Sequence, residues 1–444
     1  MKLSTWISFF FCSILIIKFF VAQTHMPLFA DGAYFFISII EEFSRTGAWS
    51  IKDNGDNPSL FINAINQVFI NLGLLWGEQD LSILAILFSL PLLILPTLTV
   101  FRFTVFANAN SALQSSIQFC ALGSFSLLCL NSEVFSLNPA LLAISLSWAY
   151  LFFLANPNPT KQDAITLIAI GCVLFRAHEL TLITGISATA LGFILYKRHH
   201  KIYHLLFATL SATHFIYNLS WVITHDPQNN SVLHLADVFS VINNPAFLSS
   251  SFLITLSGVV AIGCQYLHQE LRFFKLAALF LPVGVTLALI PFPVETIHPQ
   301  LESTSRILIL VAAATTLLLP FSFLLNFRLP KLTDHTKLGM TVIIFSFSLW
   351  QLNNSIYWQS FTQHIEQTLR ERTGLIAIES LNIPTPAERF NWGYTWPSLS
   401  IIYGPQPLRA MILPRNREIK IETRTIEIPF RSFSKSTDYW KIDL

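Results

Sequence analysis

The chain has 444 residues, 53% of them hydrophobic and 12% charged, with 40 phenylalanines and a net charge of +2. Soluble domains carry roughly 25% charged residues, and no soluble fold of this size hides so much apolar surface, whereas a bilayer is itself an apolar solvent. An ordinary soluble globule is therefore excluded, and the distribution of the charges matters more than their sum.

In chain order, Lys2 precedes an apolar run over residues 3–22 that ends near Ala22. The run looks like a secretory leader, but Lys18 interrupts it and many apolar runs follow, so it predicts a first transmembrane helix. A long outer loop, 23–80, comes next. Its residues 32–46 place Phe35, Phe36, Ile39, Ile40 and Phe43 on one helical face, away from Glu41, Glu42 and Arg45. Residues 59–76 oppose Phe61, Ile65, Val68, Leu72 and Leu75 to Asn63, Asn66, Gln67 and Asn71. Both patterns predict amphipathic helices lying in the membrane interface, joined by the turn residues Asp53 to Pro58.

Further apolar stretches fall near 81–101, 112–130, 134–154, 164–175, 180–196, 202–223, 246–264, 273–292, 307–326 and 338–355. The expected fold class is thus an all-α polytopic membrane protein with about eleven transmembrane helices. The positive-inside rule supports that number. With the N-terminus inside, the inner loops hold Lys2, Arg102, Lys161, Lys197, Arg198, Lys201, Arg272, Lys275, Arg328, Lys331 and Lys337. The outer loops before residue 356 hold Arg45, Lys52, Arg176 and Arg306. Merging 164–196 into one span would put Lys161 and the Lys197–Lys201 cluster on opposite sides. Residues 1–355 form the transmembrane domain, and 356–444 a small outer domain with β-structure, its strands expected at Leu375–Ile378, Leu399–Ile402 and Ile419–Ile428. In the tail, Trp392, Tyr394 and Trp396 alternate as on a strand, with core packing the first expectation. The five cysteines lie in apolar runs and read as small buried hydrophobes.

A first span, a large outer loop with an early Asp, a bundle with short loops and an outer C-terminal domain together resemble the C-type membrane glycosyltransferase superfamily. Phe29-Ala-Asp31-Gly-Ala-Tyr34 is similar to the acidic signature after that family's first span, and Ser305-Arg306-Ile-Leu resembles its Arg at the outer start of a late span. The resemblance implies an enzyme taking sugar from a polyprenyl-phosphate carrier and passing it to an acceptor on the outer face. Asp31 would be the catalytic base and Tyr34 a neighbour in the substrate site, with Arg306 and Arg176 on the carrier phosphate. No paired Asp-x-Asp or Asp-Glu follows the first span, and neither a metal nor another cofactor is expected. The expected partners are membrane lipid and the lipid-linked sugar, with no nucleic acid.

Each candidate has a plainer reading. Asp31 can cap the helix beginning at Gly32. Arg306 can anchor its helix at the interface. Arg176, His178 and Glu179 follow a stretch of only twelve apolar residues, about 18 Å of helix, so this charged turn is expected below the outer surface, where ionisable groups face a cavity or a partner; an Arg176–Glu179 ion pair closing the hairpin is the alternative. Glu41 and Glu42 read as a solvated face. No G-x-x-x-x-G-K-[ST] loop is present. Apart from Lys18, the span interiors hold one ionisable side chain, His214, which weighs against proton-coupled transport. The rival functions are a transporter or flippase of lipid-linked envelope glycans, and a non-enzymatic envelope assembly protein.

Overall fold

The computed structural model describes residues 3–29, 32–49, 60–131, 139–175, 181–225, 245–266, 272–289, 311–383, 390, 396–413, 420–428 and 431–444. It is mostly helical, and each of the eleven apolar stretches is helical where described. They correspond to α1 (Leu3–Gln23), α4 (Leu81–Thr104), α5 (Ala112–Asn131), α6 (Pro139–Leu154), α7 (Lys161–Leu174), α8 (Thr181–His199), α9 (Ile202–His225), α10 (Pro245–Gln265), α11 (Arg272–Leu289), the stretch Val311–Leu324 and α13 (Asp334–Glu371). The stretch Val311–Leu324 is not one regular helix: a 3₁₀ turn at Thr315–Leu317 interrupts it before α12 (Leu318–Leu324). Among the described residues, three helices, Leu3–Gln23, Leu81–Thr104 and Ala112–Cys129, are long and apolar enough to cross a membrane.

The bundle has the inverted polarity that a lipid solvent favours. Phe9 and Ile16 of α1, Ile165 and Ile168 of α7, Leu206 and Ile216 of α9 and Leu324 of α12 are exposed. Lys18, Gln114, Gln118, Gln351 and Asn354 are buried. Small residues let helices approach closely. A Cβ at Gly192 of α8 would meet Ala208 Cβ of α9 at 2.7 Å; Gly258 and Gly339 likewise receive Ile343 and Ile262 across the α10–α13 contact. Cys120 and Cys129 are buried as expected, but Cys12 and Cys172 are exposed on the apolar surface; a thiol is apolar enough to face lipid as readily as the core.

The short loops gather at one end. Gln118 Nε2 of α5 donates to Phe103 O (2.7 Å) and Ala107 O (2.9 Å), and Gln114 Nε2 to Phe152 O at 3.1 Å. Ser116 Oγ donates to Leu329 O (3.3 Å), Lys201 Nζ to Pro157 O, and Tyr203 OH to Phe153 O (3.2 Å). The hydroxyls of Tyr266 and Thr333 lie 2.7 Å apart. These bonds draw the ends of α4, α6, α8, α10 and α12 to the starts of α5, α9 and α13, and the basic residues Arg102, Lys161, Lys197, Arg198, Lys201, Lys275, Arg328, Lys331 and Lys337 lie on these loops or the adjoining helix ends. Local chemistry fixes several of the starts: Thr160 and Asp163 form a capping box on α7, and Thr333 caps α13.

α13 starts at this basic end and runs for 38 residues, about 57 Å at 1.5 Å per residue, against a hydrocarbon core of about 30 Å. Its far half carries the C-terminal region. There β1 (Gly374–Ala377) pairs in parallel with β2 (Ala410–Leu413), Gly374 opposite Ala410. The crossover between them contains α14 (Trp396–Tyr403), as parallel pairing requires a long connection. β3 (Lys420–Ile421), β4 (Thr425–Ile428) and β5 (Arg431–Ser434) form an antiparallel sheet. The strand expected at Leu399–Ile402 is therefore part of α14. A four-residue apolar run fits a buried helix as well as a strand, and here Ser400 Oγ bonds back to Trp396 O (2.8 Å) while accepting Ile412 N–H of β2 (3.0 Å). Where described, the strand expected at Ile419–Ile428 is two strands, β3 and β4, paired as a hairpin.

The outer loop differs most from expectation. α2 (Gly32–Thr46) buries Ala33, Phe36, Ile37, Ile39 and Ile40 in one core with Trp358, Phe361, Leu399, Ile401 and Met411. Its apolar face meets the C-terminal region rather than lipid headgroups. Glu41, expected in solvent, accepts Ser434 N–H of β5 at 2.8 Å, and Glu42 pairs with Arg45. α3 (Leu60–Leu75) turns its amides inward: Gln67 and Asn71 are buried, while Phe69 and Leu75 are exposed. It packs along α4 and touches α6 and α7. An amphipathic pattern marks two faces without saying which solvent each meets; lipid reverses the assignment that water would make.

Candidate functional site

Of the residues the sequence singled out, Asp31, Arg176, His178, Glu179 and Arg306 lie outside the described residues, as do Trp392 and Tyr394 of the tail. Tyr34 is described. It stands half-buried in the first turn of α2, its ring 5.9 Å from that of Phe35, at the edge of the core shared with the C-terminal region.

The chain leaves α1 through Thr24 and His25, which adopts the left-handed conformation (φ 59°), then forms a 3₁₀ turn over Met26–Leu28 with Pro27 inside it. Phe29 is buried, its ring 5.7 Å from Trp358 and 5.4 Å from Phe390. Trp358, Phe361 and Trp396 extend that aromatic cluster; Trp396, the described member of the tail's aromatic trio, is core as expected. On the other side of Asp31, Gly32 and Ala33 are buried. Phe29, two residues before Asp31, and Ala33, two residues after it, thus share one core with side chains more than 300 residues away in sequence.

His25 lies in the same junction. Its ring is 6.3 Å from that of Tyr403 in α14, with Nδ1 3.5 Å from the Tyr403 hydroxyl. Burial pushes the imidazole down to about 4, partly offset by the Ser82 backbone and the Asp80 carboxylate at the start of α4. Burial also raises the Tyr403 hydroxyl well above its ordinary value. Both rings are therefore neutral at physiological pH.

One turn and a half below the end of α1, Lys18 is buried; its ammonium donates to Gln351 Oε1 of α13 and lies near Cys129 of α5. Asn354 and Ser355, one turn further along α13, are buried too. In the sequence Lys18 marks an interruption in a span, and the charge itself is the signal, since an ionisable group inside a membrane helix faces a polar interior.

The segments flanking 176–180 and 301–310 are also tied together. Ser187 Oγ of α8 and Thr316 Oγ1 of the 3₁₀ turn lie 2.9 Å apart, and Ser124 Oγ of α5 donates to Ala312 O at 3.2 Å. Phe175, at the end of α7, stacks on Tyr217 with ring centroids 4.4 Å apart, and His214 Nε2 donates to Leu174 O at 2.6 Å. His214, the other ionisable group inside a span, thus serves α7 as a partner for one of its last carbonyls. Among the described residues, no group of three or more His, Cys, Asp or Glu side chains is arranged to hold a metal ion. No protein-family model, curated protein or solved structure matches the chain.

Proposed function

We propose that this chain is a multi-pass membrane glycosyltransferase, with its basic short-loop end in the cytoplasm and its C-terminal region outside, that moves a sugar from a polyprenyl-phosphate carrier to an acceptor at the outer face. Asp31 is the base. It takes the proton of the acceptor hydroxyl as the hydroxyl oxygen bonds to the anomeric carbon; the bond from that carbon to the carrier phosphate breaks, and the phosphate leaves with the electron pair. Arg306 and Arg176 offer forked donors to the phosphate. Tyr34, His178 and Glu179 complete the substrate site.

One observation carries this reading. The described flanks of all three segments, Phe29 and Gly32, Phe175 and Thr181, and Val311, lie on the helix ends opposite the basic loops, and Phe29 sits in an aromatic cluster with Trp358 and Phe390. Chemistry needs a base held at a fixed position, and the burial of Phe29 and Ala33 on either side of Asp31 supports that role.

Asp31→Asn tests it, because Asn caps a helix about as well as Asp but accepts no proton. Thermal stability in detergent should be unchanged, while complementation of a deletion strain, or turnover once the substrate is known, falls roughly a hundredfold or more. Full activity of Asp31→Asn would remove Asp31 as the base and leave the glycosyltransferase reading resting on layout alone.

A further inference from the structure

The outer-loop helix α3 is inside out by the standards of water. Gln67 and Asn71 are buried, whereas Phe69 is 40% exposed and Leu75 49%. At Gly73 the helix presses against α4: a Cβ there would meet Leu87 Cδ1 at 2.7 Å and Leu84 Cδ2 at 3.2 Å. Ile70 and Leu74 share a core with Leu84 and Phe88 near the start of α4. Ile65, more than one turn earlier in α3, packs instead against the separate bundle core that the second half of α4 shares with α5 to α8. α3 therefore runs antiparallel to α4, its beginning deep and its end shallow.

The turn between them fits an interface. Trp76 is 83% exposed. Glu78 then accepts the Gln79 and Asp80 N–H groups, and Asp80 accepts that of Ser82. An exposed Trp beside a polar, self-satisfied turn is the signature of a membrane–water boundary.

We infer that residues 60–75 are a re-entrant membrane helix, entering and leaving on the face that carries the C-terminal region, with Phe69 and Leu75 against lipid acyl chains. Its 16 residues span about 24 Å, short of the hydrocarbon thickness of about 30 Å. The outward face continues the apolar girdle formed by the exposed Ile83 and Leu98 of α4 and Ile165 of α7, helices that α3 touches. The inward amides satisfy the rule that polar groups at membrane depth face protein; Asn71 Nδ2 already donates to Gln67 O at 3.0 Å. A helix lying flat in the interface would present those amides to water. Because α3 returns to its own side, it leaves the sidedness of every later loop unchanged, and the inference stands apart from the enzymatic reading.

Spin labels at positions 69, 72, 75 and 76, placed one at a time in a cysteine-free chain in nanodiscs, should report increasing depth from 76 to 69, a difference of about 10 Å for seven helical residues. Equal, shallow depth at all four positions would show a helix lying flat and overturn the inference. The native chain supplies a second test that needs no substitution. A lipid-soluble carbene reagent should modify Phe69 and Leu75 and leave Gln67 and Asn71 unmodified; adducts confined to Trp76 would contradict it. In the cysteine-free chain, labelling of Leu60→Cys by an impermeant maleimide from the basic side would contradict it too.

Discussion

The two ends of the bundle are built on different principles. At the basic end, connections are short, and amide and hydroxyl side chains bond to backbone carbonyls of neighbouring loops, as Gln118 does with Phe103 and Ala107. At the opposite end, long segments converge on an aromatic core: Phe29, Trp358, Phe361, Phe390 and Trp396 come from the outer loop, α13 and the tail. One end closes hairpins with polar bonds. The other joins distant parts of the chain with apolar area and encloses Lys18 and His25 among side chains. Polar bonds tie neighbouring loops to one another, whereas holding the proposed catalytic segment in place calls for a broad apolar junction.

Substitutions should separate the two ends by size of effect. Trp358 is fully buried at the centre of the junction, so Trp358→Ala leaves a large cavity and should cost about 3–5 kcal/mol. Thermal unfolding in detergent would measure it, and proteolysis should release the C-terminal region sooner. A loss below 1 kcal/mol would mean that the aromatic core does not hold the junction together. At the basic end, Gln118→Leu is nearly isosteric and leaves two carbonyls without their donor; the expected cost is about 1–3 kcal/mol, with the C-terminal region still docked under limited proteolysis. Undocking by this variant would erase the distinction between the ends.

How much of this was legible in the sequence depends on the range of the interaction. The apolar stretches were, because in lipid every backbone polar group must be satisfied within its own segment, so hydropathy and helix coincide. The gathering of basic residues at one end was legible through the positive-inside rule. The junction was not legible: Glu41 meets Ser434 across 393 residues and His25 meets Tyr403 across 378, and no local pattern encodes such a pairing. α2 and α3 were legible as amphipathic helices, but the apolar face of α2 meets the C-terminal region, while α3 buries Gln67 and Asn71 beside Ile70 and Leu74 and exposes Phe69 and Leu75. Leu399–Ile402 was too short to distinguish strand from helix, and Pro397 with the back-bonding Ser400 decided for helix. The candidate base was flagged by its position after α1; the aromatic clamp on Phe29 was not, since its residues are scattered through the chain.

A smaller effect should mark the junction by pH. His25 is neutral in the folded protein, its imidazole held down to about 4 against an ordinary 6.5. The unfolded chain therefore binds the proton first as pH falls. The contribution of neutral His25 is complete above about pH 6.5 and is lost progressively toward pH 4. Wild-type melting temperature should drop between pH 7 and pH 5, and His25→Phe should flatten that part of the profile without a matching change at pH 7.5. An identical slope in the variant would place the responsible group elsewhere.

The division between the ends is tested most directly by sidedness. In a chain freed of its five cysteines, a single cysteine at Lys201 marks the basic end and one at Leu444 marks the end of the C-terminal region. An impermeant maleimide applied to intact cells should label Leu444→Cys at once and Lys201→Cys only after lysis. Labelling of both from the same side would contradict the opposed ends and the orientation proposed from them.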